Sequence, residues 1–236
     1  MVNESSVLPS VRLLGLRIGR TESFGPRGEP SAIRKQPVRA RIPVTRLGLA
    51  GDEQGDRRHH GGLDKAVHHY PAEHYATWQM ELPELAPRME TGGFGENLST
   101  SGLDEQNICV GDIFRLGHAT LQVSQARQPC WKLNVRFGLS DMARRVQDSG
   151  RTGWYYRVLE KGEAGPDDSL VLIERLHPDW TLARILRTLH HDGLDREALA
   201  SLVGLEALAP GWRALAKKRL NTGAVEDGSR RLNTPT

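Results

Sequence analysis

Apolar and polar positions alternate over short stretches in the first three quarters of the chain, then switch to helical spacing near its end. Residues 11–18 and 38–47 alternate in the manner of strands, with Pro43 marking the second as an edge or a bulge. Residues 48–62 hold five glycines and little apolar content, a long loop of the kind that carries function in compact domains. Residues 66–70 predict a strand, and Pro71 then opens a helix with Tyr75, Trp78 and Leu82 on one face. Within residues 107–125, Ile108, Val110, Ile113, Leu116, Leu121 and Val123 mark strands, joined by a hairpin turn at Gly117-His118. Helices are expected over 129–137 and over 140–148, the latter capped by Ser140, and strands over 154–159 and 169–176. Many short strands with few helices between them predict a barrel or curled sheet rather than a doubly wound α/β sheet.

After Pro178 the period changes. Residues 181–191, 195–203 and 210–220 predict three helices, with Asp195 as an N-cap and Gly193 and Gly204 at helix ends. The expected organisation is therefore mostly β, a barrel-like domain over 1–178 followed by a small three-helix domain and tail over 179–236. The tail from residue 221 is polar and expected to fray in part. No apolar run approaches the roughly 20 residues that span a bilayer, and residues 1–10 lack the apolar core of a signal peptide. Two cysteines in 236 residues make no disulfide framework, so a reducing cytoplasm is the expected compartment. A net charge of +3 suits an anionic ligand but shows no basic stripe for nucleic acid. Neither a nucleic acid polymer nor a membrane is expected as a partner.

Candidate chemistry gathers in a few segments. Cys130 follows a strand, with Arg127 three residues before it and Lys132 two after, and positive charge favours the thiolate. The ordinary reading of a free cysteine is a small inert core residue, and Cys109, without such neighbours, keeps it. The run from His59 to Tyr70 joins the Gly61-Gly62 pair, able to approach a ligand closely, to His59, His60, His68, His69, Asp64 and Lys65. Its histidine spacing fits no standard zinc pattern. Gly92-Gly93-Phe94-Gly95-Glu96-Asn97 lacks the Lys-Ser/Thr pair of a phosphate loop and reads as a tight turn in which Glu96 and Asn97 fix the backbone. Arg115 needs an anionic partner if it faces inward and is an ordinary solvated residue if it faces out. Arg34-Lys35 is a loop charge pair able to bind phosphate. Tyr155 and Tyr156 beside Trp154 are able to line an aromatic pocket, although their strand context makes core or cross-strand packing the default.

In order and spacing, four segments together resemble the MOSC family, named for the C-terminal domain of molybdenum cofactor sulfurases. They are His60-Gly61-Gly62-Leu63-Asp64-Lys65-Ala66, Phe94-Gly95-Glu96-Asn97-Leu98, Gly111-Asp112-Ile113-Phe114-Arg115 and Val123-Ser124-Gln125-Ala126-Arg127-Gln128-Pro129-Cys130. The chain is also similar to the YiiM-type branch, through Gly28-Glu29-Pro30-Ser31-Ala32-Ile33, His69-Tyr70-Pro71 and a helical C-terminus ending near Ser229-Arg230-Arg231-Leu232. Where that branch is expected to read Pro-Arg, this chain has Ala126 before Arg127, which loosens the loop and keeps the cation.

The resemblance implies a MOSC β-barrel with a three-helix domain behind it, and a molybdenum cofactor (molybdopterin) whose metal is ligated by Cys130. It also implies reductive detoxification of small N-hydroxylated compounds such as hydroxylaminopurine. Under it, Lys35, Arg115 and Arg127 with the Gly61-Gly62 turn meet the cofactor's phosphate, Asn97 and Ser124 complete the binding set, and His60 or His69 supplies a proton. The chain carries no flavin, haem or iron–sulfur motif, so electrons are expected from a separate reductase. Two other readings stay open: a cofactor carrier or sulfur-transfer module with a persulfide on Cys130, and a helical segment that serves to dock the reductase. The oligomeric state, a homodimer included, is not read from the sequence.

Overall fold

The structure, a computed structural model, describes residues 10–56 and 60–235. Seven strands close into a barrel: β1 (Ser10–Ile18), β2 (Val67–Pro71), β3 (Leu98–Thr100), β4 (Ile113–Leu116), β5 (Ala119–Ala126), β6 (Trp154–Glu160) and β7 (Ser169–Glu174). Around it the order is β1-β7-β4-β5-β6-β2-β3 and back to β1. Neighbours are antiparallel except β2 and β3, which run parallel with Tyr70 opposite Ser99. Alternation on β5 and β6 turns Leu121, Val123, Tyr156 and Val158 into the core, and their register slips by a bulge between Val123 and Gln125.

Nearly every residue of β5 is buried, because its outer face is covered too. The cover comes from α4 (Leu182–His190), α5 (Arg196–Gly204) and α6 (Pro210–Thr222), whose Ile185, Leu189, Leu202 and Trp212 join the barrel residues in one apolar cluster. Thr181 and Asp195 cap the first two of these helices through their side chains, as the sequence leads one to expect for Asp195. On another side, α1 (Glu73–Glu81), α2 (Lys132–Phe137) and α3 (Met142–Ser149) enclose a second cluster around Phe94, where Phe94 stacks on Tyr70 at 4.2 Å.

Several expectations are corrected. The strand foreseen over 38–47 shrinks to Ile42–Thr45 and pairs with Gly162–Ala164 in a small side sheet. Ile108 and Val110 lie outside strands, where Cys109 makes a lone bridge to Thr181. α2 starts at Lys132 rather than at Pro129, and α3 is entered through Asp141 with no side-chain cap, so Ser140 does not cap it. The tail is exposed and without regular structure over residues 224–227, but its end forms α7 (Ser229–Leu232), which sets Leu232 into the second cluster. Among the described residues, no helix is long and apolar enough to cross a membrane.

Candidate functional site

A pocket opens between the loop after β5, the β3 approach and the residues before β2. Side chains of Lys35, Asp52, His60, Lys65, His68, Asn97, Arg127, Cys130, Lys132 and Tyr155 line it. It is a half-open cavity with an enclosed volume of about 80 Å³. The bulge on β5 and the turn beyond it carry Arg127 and Cys130 to its wall. The Arg127 amide donates to the Gly153 carbonyl at 2.9 Å, and its guanidinium donates to the Phe94 carbonyl at 3.0 Å. Cys130 is half-buried, and His60 Nε2 stands 3.3 Å from its Sγ. The cations Lys65, Lys132 and Arg231 all lie near enough for their charges to act on a Cys130 thiolate.

Burial lowers the proton affinity of Lys35, Lys65 and Lys132, although nearby acids, and for Lys65 and Lys132 the sulfur too, pull it back up. Lys35 is held in a buried ion pair with Asp52, whose other oxygen accepts from Asn97 Nδ2 at 2.9 Å. Asn97 also accepts the His68 amide through Oδ1 at 2.9 Å, so it ties β2 to the pocket floor. Lys132 Nζ donates to the Pro30 carbonyl at 2.5 Å.

The histidines divide sharply. Burial, followed by the charges of Lys132, Lys65 and Arg127, pushes His60 down to about 3, so at neutral pH it is an uncharged imidazole. Its role as a half-protonated acid is therefore corrected: beside Cys130 it is placed to share a hydrogen bond with the sulfur. His69 faces the barrel interior, its ring bonded to Tyr156 Oη at 3.0 Å and Thr100 Oγ1 at 2.9 Å, and burial alone takes it to about 3. It does not line the pocket, so the acid role foreseen for it is withdrawn. His68, one residue earlier on β2, faces the other way, packs its ring 4.9 Å from Tyr155 and lines the pocket with its Nε2 unpartnered. His59 lies outside the described residues.

Other foreseen ligands fall elsewhere. Arg115 is exposed on β4 and does not line the pocket, whereas its neighbour Asp112 is fully buried and paired with Arg175. Ser124 Oγ lies 2.6 Å from the Asp64 carbonyl and 3.0 Å from that of Tyr155, fixing the barrel wall rather than meeting the cavity. Gly61 and Gly62 do not line the pocket; Gly62, at φ +99°, begins the short turn Leu63–Lys65 that delivers Lys65. Lys65, His68, Lys132 and Tyr155 also line the pocket, although the sequence assigns none of them a specific role there. Lys132 was nonetheless visible as a cation two residues from Cys130, and alternation along β2 separates His68 from His69. Cys109 is sealed, its Sγ 3.4 Å from the Pro178 carbonyl, and burial raises its thiol.

Among the described residues, no group of three or more His, Cys, Asp or Glu is placed to hold a metal ion by side chains alone. A metal here would take one soft ligand from the chain and the others from its own cofactor. The donor set fits such a group: a thiol facing the cavity, an unpartnered buried His68 nitrogen and several cations for an anionic end.

Residues 56–171 match the MOSC domain, and residues 180–223 match the YiiM-like, 3-alpha helix domain. The chain is 43% identical to Protein YiiM of Escherichia coli (strain K12) over 214 residues, 91% of this chain and 95% of that protein. It is 35% identical to a protein named Reductase from Gibberella moniliformis over 212 residues, which are 89% of this chain and 37% of that one. The crystal structure of YiiM from Escherichia coli superposes with a TM-score of 0.78 at 38% identity, covering 92% of this chain and 98% of that chain.

Proposed function

This chain belongs to the MOSC family, with a YiiM-like three-helix domain behind its barrel, and from that premise we propose a molybdenum-cofactor-dependent reductase of small N-hydroxylated compounds. Hydroxylaminopurine-type base analogues are the substrate class, and a separate reductase supplies the electrons. The observation that carries the reading is Cys130, whose sulfur faces a cavity lined by Lys65, Arg127 and Lys132 with an uncharged His60 at 3.3 Å.

The reaction takes R–NHOH, two electrons and two protons to R–NH2 and water. When bound, the molybdenum centre would supply the two electrons that reduce the N–O bond, having received them from the separate reductase. The chain's own residues do the rest. Cys130 offers the soft ligand, and His60 orients its sulfur through a neutral ring that brings no competing charge. Arg127 and Lys132 balance the anionic cofactor. Lys65 and Lys132, whose ammonium groups burial makes more acidic, hold the protons that the departing oxygen needs.

Protein from a cofactor-competent host is expected to contain about one molybdenum and one pterin per chain, and Cys130→Ala to lose at least about tenfold of the metal. Equal metal in both proteins would overturn the ligand assignment. With metal loaded, reduction of 6-hydroxylaminopurine by a competent electron donor is the second measurement. Transfer of cofactor to an apo-enzyme with no such turnover would instead identify a carrier.

A further inference from the structure

The C-terminal strap reaches back to the loop that presents Cys130. Arg219, almost fully buried on α6, holds Glu226 through paired bonds at 2.6 and 2.9 Å, which fixes the start of the tail to the helices. Seven residues beyond Thr222, the tail forms α7 against α2 and the Cys130 loop. There Arg231 takes hold on both sides of Cys130: its guanidinium donates to the Pro129 carbonyl, and its own carbonyl accepts the Trp131 amide at 2.8 Å. The second arm of the guanidinium donates to Gln147 Oε1 on α3 at 2.5 Å. Leu232 is buried in the cluster around Phe94, and its carbonyl accepts from Asn134 Nδ2 on α2 at 2.8 Å.

We propose that Arg231 is a positioning residue for Cys130, through which the three-helix domain and its tail hold the thiol-bearing loop in place. Among the described residues, the Pro129 carbonyl and the Trp131 amide have no other long-range partner, so one residue a hundred positions away sets both ends of a three-residue span. Half-buried Arg231 also keeps a positive charge beside the sulfur. A loop outside regular structure is free to swing unless such bonds restrain it, and a ligand needs its sulfur held to a fraction of an ångström. The consequence for metal binding rests on the function proposed above; the hold on the loop does not.

The test uses full-length protein without cofactor. Arg231→Ala keeps the carbonyl that accepts the Trp131 amide but loses the guanidinium bonds to Pro129 and Gln147 that hold the strap. Hydrogen exchange at the Trp131 amide and alkylation of Cys130 by iodoacetamide are therefore expected to rise by about tenfold or more, while the β4–β5 and α4–α6 amides keep their protection. Arg231→Lys, which keeps the charge and one donor, is expected to restore part of both. Unchanged exchange at Trp131 overturns the hold. So does exchange that rises equally across barrel and helices, which marks Arg231 as a general stabiliser. Exchange that rises at Trp131 with no change in Cys130 alkylation overturns the positioning of the thiol. Buried Cys109 serves as the internal reference for alkylation.

Discussion

At the residue scale, the four histidines that the sequence crowds together show what a linear pattern reveals and what it hides. Cys130 stood out because Arg127 and Lys132 are its chain neighbours, whereas Lys65 and Arg231 reach it only through the fold. The histidine roles were not legible, because burial decides their charge. Alternation along β2 sends His69 inward to Tyr156 and Thr100, and His68 outward to Tyr155. His60, His68, His69 and His190 all have proton affinities lowered by burial, to about 3 for His60 and His69 and about 4 for His190. Each is neutral in the fold and takes a proton in the unfolded chain below about pH 6.5. Unfolded chains then bind more protons, so stability is complete above that pH and is lost as the pH falls toward the folded values. Each histidine contributes a slope of about 1.4 kcal/mol per pH unit in that window. Urea unfolding at about pH 7 and about pH 5 is expected to show the loss, and His69→Gln to flatten its slope by about one histidine's share. A slope unchanged in His69→Gln would mean that the ring is not neutral and sealed as the barrel holds it.

At the element scale, most strands and helices follow from their own residues, but the pieces that close the barrel do not. β3 is only three residues long and follows a glycine-rich turn, so its apolar signal is too short to read; its partners β1 and β2 make it a strand. Residues 38–47 carry the opposite lesson: the alternation is there, yet ladder pairing takes in Ile42–Thr45, and Val38 adds a single amide bond to the Leu16 carbonyl. β6 depends on its entry. Gly153, at φ +69°, donates its amide to Glu105 Oε1 at 2.6 Å and passes so close to β2 that an added Cβ would lie 2.3 Å from the His69 carbonyl. Both the positive φ and the close approach need glycine. Gly153→Ala is expected to destabilise the protein by on the order of 2–3 kcal/mol and to weaken cofactor loading, because the same glycine accepts the Arg127 amide that starts the Cys130 loop. Denaturant titration reads the first effect and metal content the second. A loss below about 0.5 kcal/mol would show that the strands part easily to admit the methyl.

At the scale of the whole molecule, the change of period after Pro178 announced three helices but not how they are used. A helical segment that only docked a partner would be expected to leave the barrel intact on removal. The contacts argue otherwise. The Trp180 carbonyl accepts the Val110 amide at 3.0 Å, the Leu182 and Ala183 amides donate to Ile108 and Glu105 at 2.8 Å, and the Ala209 amide donates to Ser124 at 2.9 Å. Leu182, Ile185, Leu189 and Trp212 complete the apolar cover of β5, whose two buried faces cannot both be satisfied by the barrel alone. Removing the chain beyond Pro178 would expose that face, strip four backbone bonds and release the strap over Cys130. The chain ending at Pro178 is therefore expected to lose the near-ultraviolet signature of its packed tryptophans and to bind a hydrophobic dye, behaviour of a collapsed state without fixed packing. A truncated protein with native near-ultraviolet dichroism and full cofactor loading would make the helices an independent appendage. The expected collapse also changes how a docked reductase must be sought, because deletion destroys the site along with the surface. Charge reversals at exposed helix positions such as Arg196 and Lys217, which leave the shared core untouched, separate partner binding from folding.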